Sequence, residues 1–314
     1  MPAVEIGSGL ALLFGGGEAL VRGAVALAHR LGLSKALVGA TVVGFGTSAP
    51  ELAVAVDAGL TGHGAIALGT VVGSNICNVL LVLPVAALIL PVRWSRRAIR
   101  RDATTLLLAT ALFVAFAATG QIGRIEGAAL LVALFGVTTF AIVAERRAPS
   151  VAVDLLSEEA DALDAVPFPL ALAVLGTIGG IAAVVGGAEL LVEGATELAR
   201  RFGVSEATIG LTLVAVGTSL PELAAGAAAA RRQHPEVALG NLLGSNVFNQ
   251  LGIVGAAALM APLAVPPEVA RADLWAMLAL MVATAAGLLL ARRLGRAPAL
   301  VGLLLYASWV AFKL

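Results

Sequence analysis

The sequence predicts an all-α membrane protein of ten transmembrane helices, built as two inverted five-helix repeats with broken helices at the midplane. Three observations carry this reading. The 314 residues are 60% hydrophobic and 13% charged, with a mean hydropathy of +0.99, whereas soluble domains carry roughly 25% charged residues. Ten apolar stretches run near the length, about 20 residues, that a helix needs to cross a bilayer. One polar segment, Gly46-Thr47-Ser48-Ala49-Pro50-Glu51, returns as Gly217-Thr218-Ser219-Leu220-Pro221-Glu222.

The candidate spans are 7–29, 33–60, 64–90, 103–119, 122–144, 167–199, 204–230, 236–261, 270–291 and 297–312. Between the fifth and sixth lies the one hydrophilic stretch, Glu145 to Ala165, with Asp154, Glu158, Glu159, Asp161 and Asp164. Such acidic, aromatic-poor sequence is a solvated spacer, and it lacks the ligand spacing of an EF-hand. The chain therefore divides into a first five-helix repeat at 1–144, an acidic linker at 145–166 and a second repeat at 167–314. The N-terminus has no basic region before its apolar run, so no removable signal peptide is expected. The zero net charge gives no reason to expect a nucleic-acid partner. A single cysteine, Cys77, rules out an internal disulfide and lacks the partners of a zinc site.

An offset of 171 residues superposes the halves without a gap from about 16 to 80. It pairs Glu18 with Glu189, Gly39 with Gly210, Thr41 with Thr212, Gly69 with Gly240, Gly73-Ser74-Asn75 with Gly244-Ser245-Asn246, and Asn78 with Asn249. Chance similarity aligns Leu and Ala runs; it does not hold Pro, Glu, Asn and Gly in register. Five spans per half is an odd number, so the second half enters from the opposite side and the repeat is inverted. Fourteen Lys and Arg fall in loops on the side of the 1–2 link and five on the other. The positive-inside rule then puts both termini outside and the linker in the cytoplasm. The localisation expected is a multi-pass protein of the cytoplasmic membrane, with the lipid bilayer as its surroundings and no oligomer implied.

The duplicated segment carries the chemistry. An ionisable residue inside the membrane marks a functional site, and Glu51 and Glu222 sit mid-span in both copies. Pro50 and Pro221 leave the carbonyls of Gly46 and Gly217 without their helical donors. Broken helix at this depth is tolerated only where it is buried in protein or lines a cavity. Thr47, Ser48, Thr218 and Ser219 add hydroxyls. Ser74 and Asn78, like Ser245 and Asn249, are four apart and share a helix face. All these donors are oxygens, which suit hard cations such as Na⁺ and Ca²⁺.

Other readings stand beside this one. The Thr and Ser hydroxyls can bond back to their own helices, and Asn75 and Asn246 can be glue between helices. Glu18, Glu189, Arg22 and Glu193 form a second intramembrane polar set, either an ion-pair structure or the lining of an access path. His63 and His234 fall at loop positions and are expected to be solvated.

These motifs resemble the alpha repeats of the cation/calcium exchanger superfamily, in its sodium/calcium exchanger branch. The first, at 44–80, holds Gly44-Phe45-Gly46-Thr47-Ser48-Ala49-Pro50-Glu51 and Gly73-Ser74-Asn75-Ile76-Cys77-Asn78. The second, at 215–251, holds Ala215-Val216-Gly217-Thr218-Ser219-Leu220-Pro221-Glu222 and Gly244-Ser245-Asn246-Val247-Phe248-Asn249. The resemblance implies that the second, third, seventh and eighth spans enclose the ions. Glu51 and Glu222 are then the central carboxylates, and the backbone carbonyls of Gly44 and Ala215 join Thr47, Ser48, Thr218, Ser219, Ser74 and Ser245 as ligands. Spans one and six are expected to slide across the rest. Thr70 stands opposite Asn241, which reads as a tolerated packing change. Members of this branch often carry Asp at one of the positions of Asn78 and Asn249, and this chain has Asn at both.

The function expected is therefore exchange of Ca²⁺ against Na⁺ by alternating access, with both ions as cargo and no cofactor. The alternative is a Ca²⁺/H⁺ or other cation/H⁺ antiporter, since two Glu can carry protons. A cation channel is disfavoured because channels usually build carboxylate rings from symmetric subunits. An intramembrane hydrolase is disfavoured because Ser48 and Ser219 have no His or Lys in the spans to act as base.

Overall fold

A computed structural model describes residues 2–94, 96–147, 169–202, 217–265 and 269–313. Among these the chain is helical apart from four two-residue strands. Helix α1 is Pro2–Leu31. It ends where Gly32 adopts φ +62°, a left-handed conformation that favours glycine. Next come α2 (Lys35–Thr47) and α3 (Ala49–Leu60), which meet at a 47° bend. They are followed by α4 (Gly64–Ile89), α5 (Arg96–Ala117), α6 (Arg124–Arg147) and α7 (Leu170–Arg201). The last four are α8 (Leu220–Arg231), α9 (Pro235–Met260), α10 (Leu274–Leu290) and α11 (Arg296–Lys313). By length and hydropathy five of the described helices reach across a membrane, or six if α2 and α3 form one bent span.

Glycine spacing sets the packing of the two longest helices. Gly9, Gly16 and Gly23 recur seven apart on α1, and Gly180, Gly187 and Gly194 do so on α7, each 171 residues on. Seven residues are close to two helical turns, so each set lies along one face. These faces meet antiparallel. A Cβ on Gly9 would stand 2.7 Å from the Gly187 carbonyl oxygen, and one on Gly180 would stand 2.6 Å from the Leu20 Cα. A Cβ on Gly194 would meet the Pro2 carbonyl oxygen at 2.8 Å. The absence of side chains thus lets the two backbones touch along their length. On α9, Gly240 and Gly244 do the same against the backbone of Ala36 and Ala40 in α2.

The backbone repeats at the same offset. Ser48 (φ −82°, ψ 14°) and Ser219 (φ −92°, ψ 5°) make matching breaks before α3 and α8. Helices α4 and α9 each widen into a π-helical turn, Asn78–Val82 and Phe248–Ile253. They end alike at Leu90 (−139°, 123°) and Ala261 (−145°, 132°). The strands β1 (Val92–Arg93), β2 (Gln121–Ile122), β3 (Leu263–Ala264) and β4 (Arg293–Leu294) form two antiparallel ribbons, β1 with β4 and β2 with β3. Val92 faces Leu294, and Ile122 faces Leu263. Each ribbon ties a turn near one end of the bundle to a turn from the other half of the sequence.

Two expectations change. Glu145 belongs to α6 rather than the solvated linker: it is buried and accepts a 2.8 Å bond from Arg101, because the helix continues through Arg147. His234 is buried at 3% exposure and lies 3.5 Å from Glu236, whereas its repeat mate His63 is exposed beside Thr61. The polar set of α1 follows the ion-pair alternative at Glu18, which pairs with Arg22 at 3.4 Å and with Arg232 just beyond α8. The rest of the linker, and the stretch 203–216 that opens the expected seventh span, lie outside the described residues.

The glycine contact gives a test. Gly187→Val should lower stability by about 1–3 kcal/mol, the usual cost of overpacking, because its Cβ would lie 2.9 Å from the Gly9 carbonyl oxygen. Gly186→Val, where nothing lies within 4 Å of a Cβ, should leave the melting temperature of the detergent-solubilised protein within error of wild type.

Candidate cation site

The bend between α2 and α3 brings Ser48 to the middle of the bundle. Pro50 sits in the first turn of α3 and Pro221 in the first turn of α8, where a missing N–H costs no helical bond. Each helix then presents a carboxylate within its own first turn, Glu51 and Glu222. Both are 1% exposed.

The two halves interlock here. Ser48 Oγ donates to Glu222 Oε1 at 2.8 Å, so a hydroxyl of the first half holds a carboxylate of the second. Ser74 Oγ, on α4, donates to Glu51 Oε1 at 3.3 Å. In each carboxylate the other oxygen, Glu51 Oε2 and Glu222 Oε2, is buried without a hydrogen-bond partner. Ser219 Oγ, Asn78 Oδ1 and both amide atoms of Asn249 are also buried and unpartnered. Charged or polar groups taken out of water need compensation. The fold therefore buries several polar atoms with unmet hydrogen-bonding capacity, and among the described residues no basic side chain bonds to either carboxylate.

The expected residues fall into three groups. Glu51, Glu222, Ser48, Ser74, Ser219, Asn78 and Asn249 are all buried; hydrogen bonds join Ser48 to Glu222 and Ser74 to Glu51, and none joins Ser219, Asn78 or Asn249 to either carboxylate. Thr47, Ser245 and Gly44 adjoin one another: the Gly44 carbonyl accepts Ser245 Oγ at 3.0 Å and the Ser48 N–H at 3.2 Å, and Thr47 Oγ1, whose one proton is shared with Asn241 Oδ1, lies 3.4 Å away. That carbonyl is thus already well supplied with donors. Thr218 lies half-buried at the turn before α8, and Ala215 lies outside the described residues. Asn75 and Asn246 act between helices. Asn78 Nδ2 donates to Asn246 Oδ1 at 3.1 Å, and Gln250 Nε2 donates to Asn75 Oδ1 at 3.5 Å.

Sequence reasoning undervalued Asn241 and passed over Gln250. Asn241, read as a packing change opposite Thr70, is fully buried. It accepts Thr47 Oγ1 at 3.2 Å and donates to the Glu222 carbonyl at 3.5 Å, so it braces the first turn of α8 against α2. Gln250 is fully buried opposite Val79. Both replace a less polar repeat mate with an amide on a buried helix, and that substitution was the signal available.

Two buried carboxylates with hydroxyl and amide oxygens are the kind of donor set that suits hard cations, and among the described residues no nucleophile–base pair accompanies them. Comparison with known proteins agrees. The family model described as sodium/calcium exchanger protein matches residues 3–143 and 172–314. The chain is 37% identical over 288 residues to the putative antiporter CaxA of Alkalimonas amylolytica, covering 92% of this chain and 89% of that one. It is 32% identical to the sodium/calcium exchanger MaX1 of Methanosarcina acetivorans, over 82% of each chain. Among solved structures, the sodium-calcium exchanger NCX_Mj soaked with zero Na⁺ and Ca²⁺ matches with a TM-score of 0.84 at 28% identity, covering 99% of this chain and 98% of that one. The chain belongs to the sodium/calcium exchanger family of membrane cation transporters, and it is not an enzyme.

Proposed function

We infer that this protein is a secondary active antiporter that moves Ca²⁺ out against inward Na⁺ across the cytoplasmic membrane. The observation that carries the reading is the pair Glu51 and Glu222, each buried with one oxygen unpartnered. Two carboxylates neutralise one Ca²⁺, and the same oxygens suit Na⁺, so the two ions compete for one pocket. A relative named as a sodium/calcium exchanger and a structural neighbour soaked with Na⁺ and Ca²⁺ support that cargo.

The site ligands are, in this reading, Glu51, Glu222, Thr47, Ser48, Thr218, Ser219, Ser74, Ser245, Asn78 and Asn249, with the Gly44 and Ala215 carbonyls. Thr47, Ser245 and Gly44 must loosen their mutual bonds to serve, so they join once an ion has entered. Ten spans in two inverted repeats, 1–144 and 167–314, with both termini outside, provide the frame. The matched breaks at Ser48 and Ser219 and the paired π-helical turns support the repeat. The glycine-faced pair α1 and α7 moves as one body past the remainder. An empty pocket resists that movement, because two bare carboxylates would cross an apolar seal; either ion species removes the penalty.

Protons offer a second reading, favoured by one observation: with Asn at both 78 and 249, two protons on the two Glu also make the pocket neutral.

Vesicles loaded with Na⁺ and holding the wild-type protein should take up ⁴⁵Ca²⁺, and Glu51→Gln or Glu222→Gln should reduce uptake to the protein-free background. Retained uptake in both variants would reject the site. Replacing the Na⁺ gradient by a pH gradient should give no uptake; proton-driven uptake at the same rate would favour the second reading. For the frame, a cysteine placed near the N-terminus of a Cys77→Ser protein should react with a membrane-impermeant maleimide applied to intact cells.

A further inference from the structure

The two halves differ in how their helices are covered. Gly17 of α1 lies against α8: a Cβ there would stand 3.1 Å from the Ala224 carbonyl oxygen and 3.3 Å from the Ala228 Cβ. Ala224 is half-buried and Ala228 is 8% exposed. An offset of 171 residues turns this contact into Ala188 of α7 against Ala53 and Asp57 of α3. That face is open. Ala49, Ala53 and Asp57 are all exposed. A trough of about 510 Å³ runs along α3 from Ala49 to Leu60, with Ala256 of α9 on its flank. Its inner end, Ala49, stands between Ser48 and Pro50 in the chain.

The charges at the two faces are inverted. On the covered side Glu18 pairs with Arg22 and with Arg232, one acid between two bases. The same offset maps Glu18 onto Glu189, Arg22 onto Glu193 and Arg232 onto Thr61, and it sets Asp57 where α8 has Ala228. The open side thus has three acids and no base at the matching positions. Covering α3 as α8 is covered would bring Glu189 to Thr61, one helical turn from Asp57, and would take the Asp57 carboxylate out of water without a partner. Ala188 also carries a Cβ where the closed contact has the bare Gly17. Each difference favours the same outcome: α1 on α8, and α7 off α3.

The proposed alternating access has one body, α1 with α7, moving past the rest, so leaving one face covers the other. Resting on that reading, we propose that the ion pair of Glu18 with Arg232 and the unpaired acid Asp57 are a matched latch and wedge that hold this chain with its α3 face open. Arg232 ties α1 down on α8. Asp57, aided by Glu189 and Glu193, keeps α7 away from α3. Neither touches the cation pocket, so both act on the balance between the end states and not on the donor set around Glu51 and Glu222.

The test reads that balance in the full-length protein in lipid nanodiscs, on a Cys77→Ser background. A cysteine at Ala53 reports the α3 face and one at Ala224 the α8 face, each by its rate of reaction with a small hydrophilic maleimide. The cysteine at 53 should react faster. Arg232→Thr installs the residue of the other repeat and cuts the latch. Asp57→Ala with Thr61→Arg removes the wedge and gives Glu189 the partner that Glu18 has. Each change should slow labelling at 53 and speed it at 224, by about threefold, the size of effect that a partly exposed ion pair gives. Opposite movement of the two rates marks exchange between end states; simple loosening would raise both. Both rates rising, one rate moving alone, unchanged rates, or faster labelling at 224 than at 53 in the parent overturns the proposal. Opposed rates in a chain whose vesicles exchange no Ca²⁺ would refute the cargo and keep the latch; Ca²⁺ exchange beside unmoved rates would refute only the latch and wedge.

Discussion

Two acids that cannot rest charged and dry hold the logic of this molecule. Glu51 and Glu222 are both 1% exposed, and among the described residues no basic side chain bonds to either. Each gains one hydroxyl, from Ser74 and Ser48. A hydroxyl stabilises a carboxylate by a few kcal/mol at most, while desolvating an ion costs several. The deficit is met only by a cation or by protons. The proposed cation binding draws on that deficit.

Holding such a deficit requires a frame that does not relax around it. The Ser48–Glu222 bond crosses from one half of the sequence to the other, and Asn241 returns the connection by joining Thr47 to the start of α8. Glycine makes the approach close enough. Gly240 and Gly244 let α9 lie against the backbone of α2, and Gly44 sits under Ser245. The carboxylates thus sit between helices whose backbones are in direct contact.

What was readable beforehand follows from the same physics. Pro, Glu, Ser and Thr in a bilayer-length apolar stretch are costly, so their duplication at a fixed offset stands out, and with it the family and the two buried carboxylates. The repeat was less useful where it fails. Asn241 and Gln250 were hidden because each faces a residue of a different kind, Thr70 and Val79, and alignment weighs agreement. His234 and Glu145 were misplaced for another reason: their neighbours in sequence are polar, but burial came from helices remote in the chain. The supply of donors to the Gly44 carbonyl was invisible because it depends on Ser245, some two hundred residues away.

The departures from repetition have a physical meaning of their own. An inverted repeat of identical halves would have two end states of equal energy, since each is the other turned over. A transporter working between a cytoplasm and an exterior of different ion content gains from unequal states, and only positions that differ between the halves can make them so. Here those positions cluster. Cys77 faces Phe248, which stacks on Phe45 with ring centroids 4.5 Å apart. Thr70 faces Asn241, and Val79 faces Gln250. Farther out, Arg232 reaches Glu18 on α1, while its counterpart Thr61 turns back to bond the Asp57 carbonyl at 2.8 Å. That ion pair joins one of the two long glycine-faced helices to the end of α8 in this conformation and has no mirror image in the repeat. If the proposed exchange cycle holds, these unmatched contacts are where a preference between its two end states would be written.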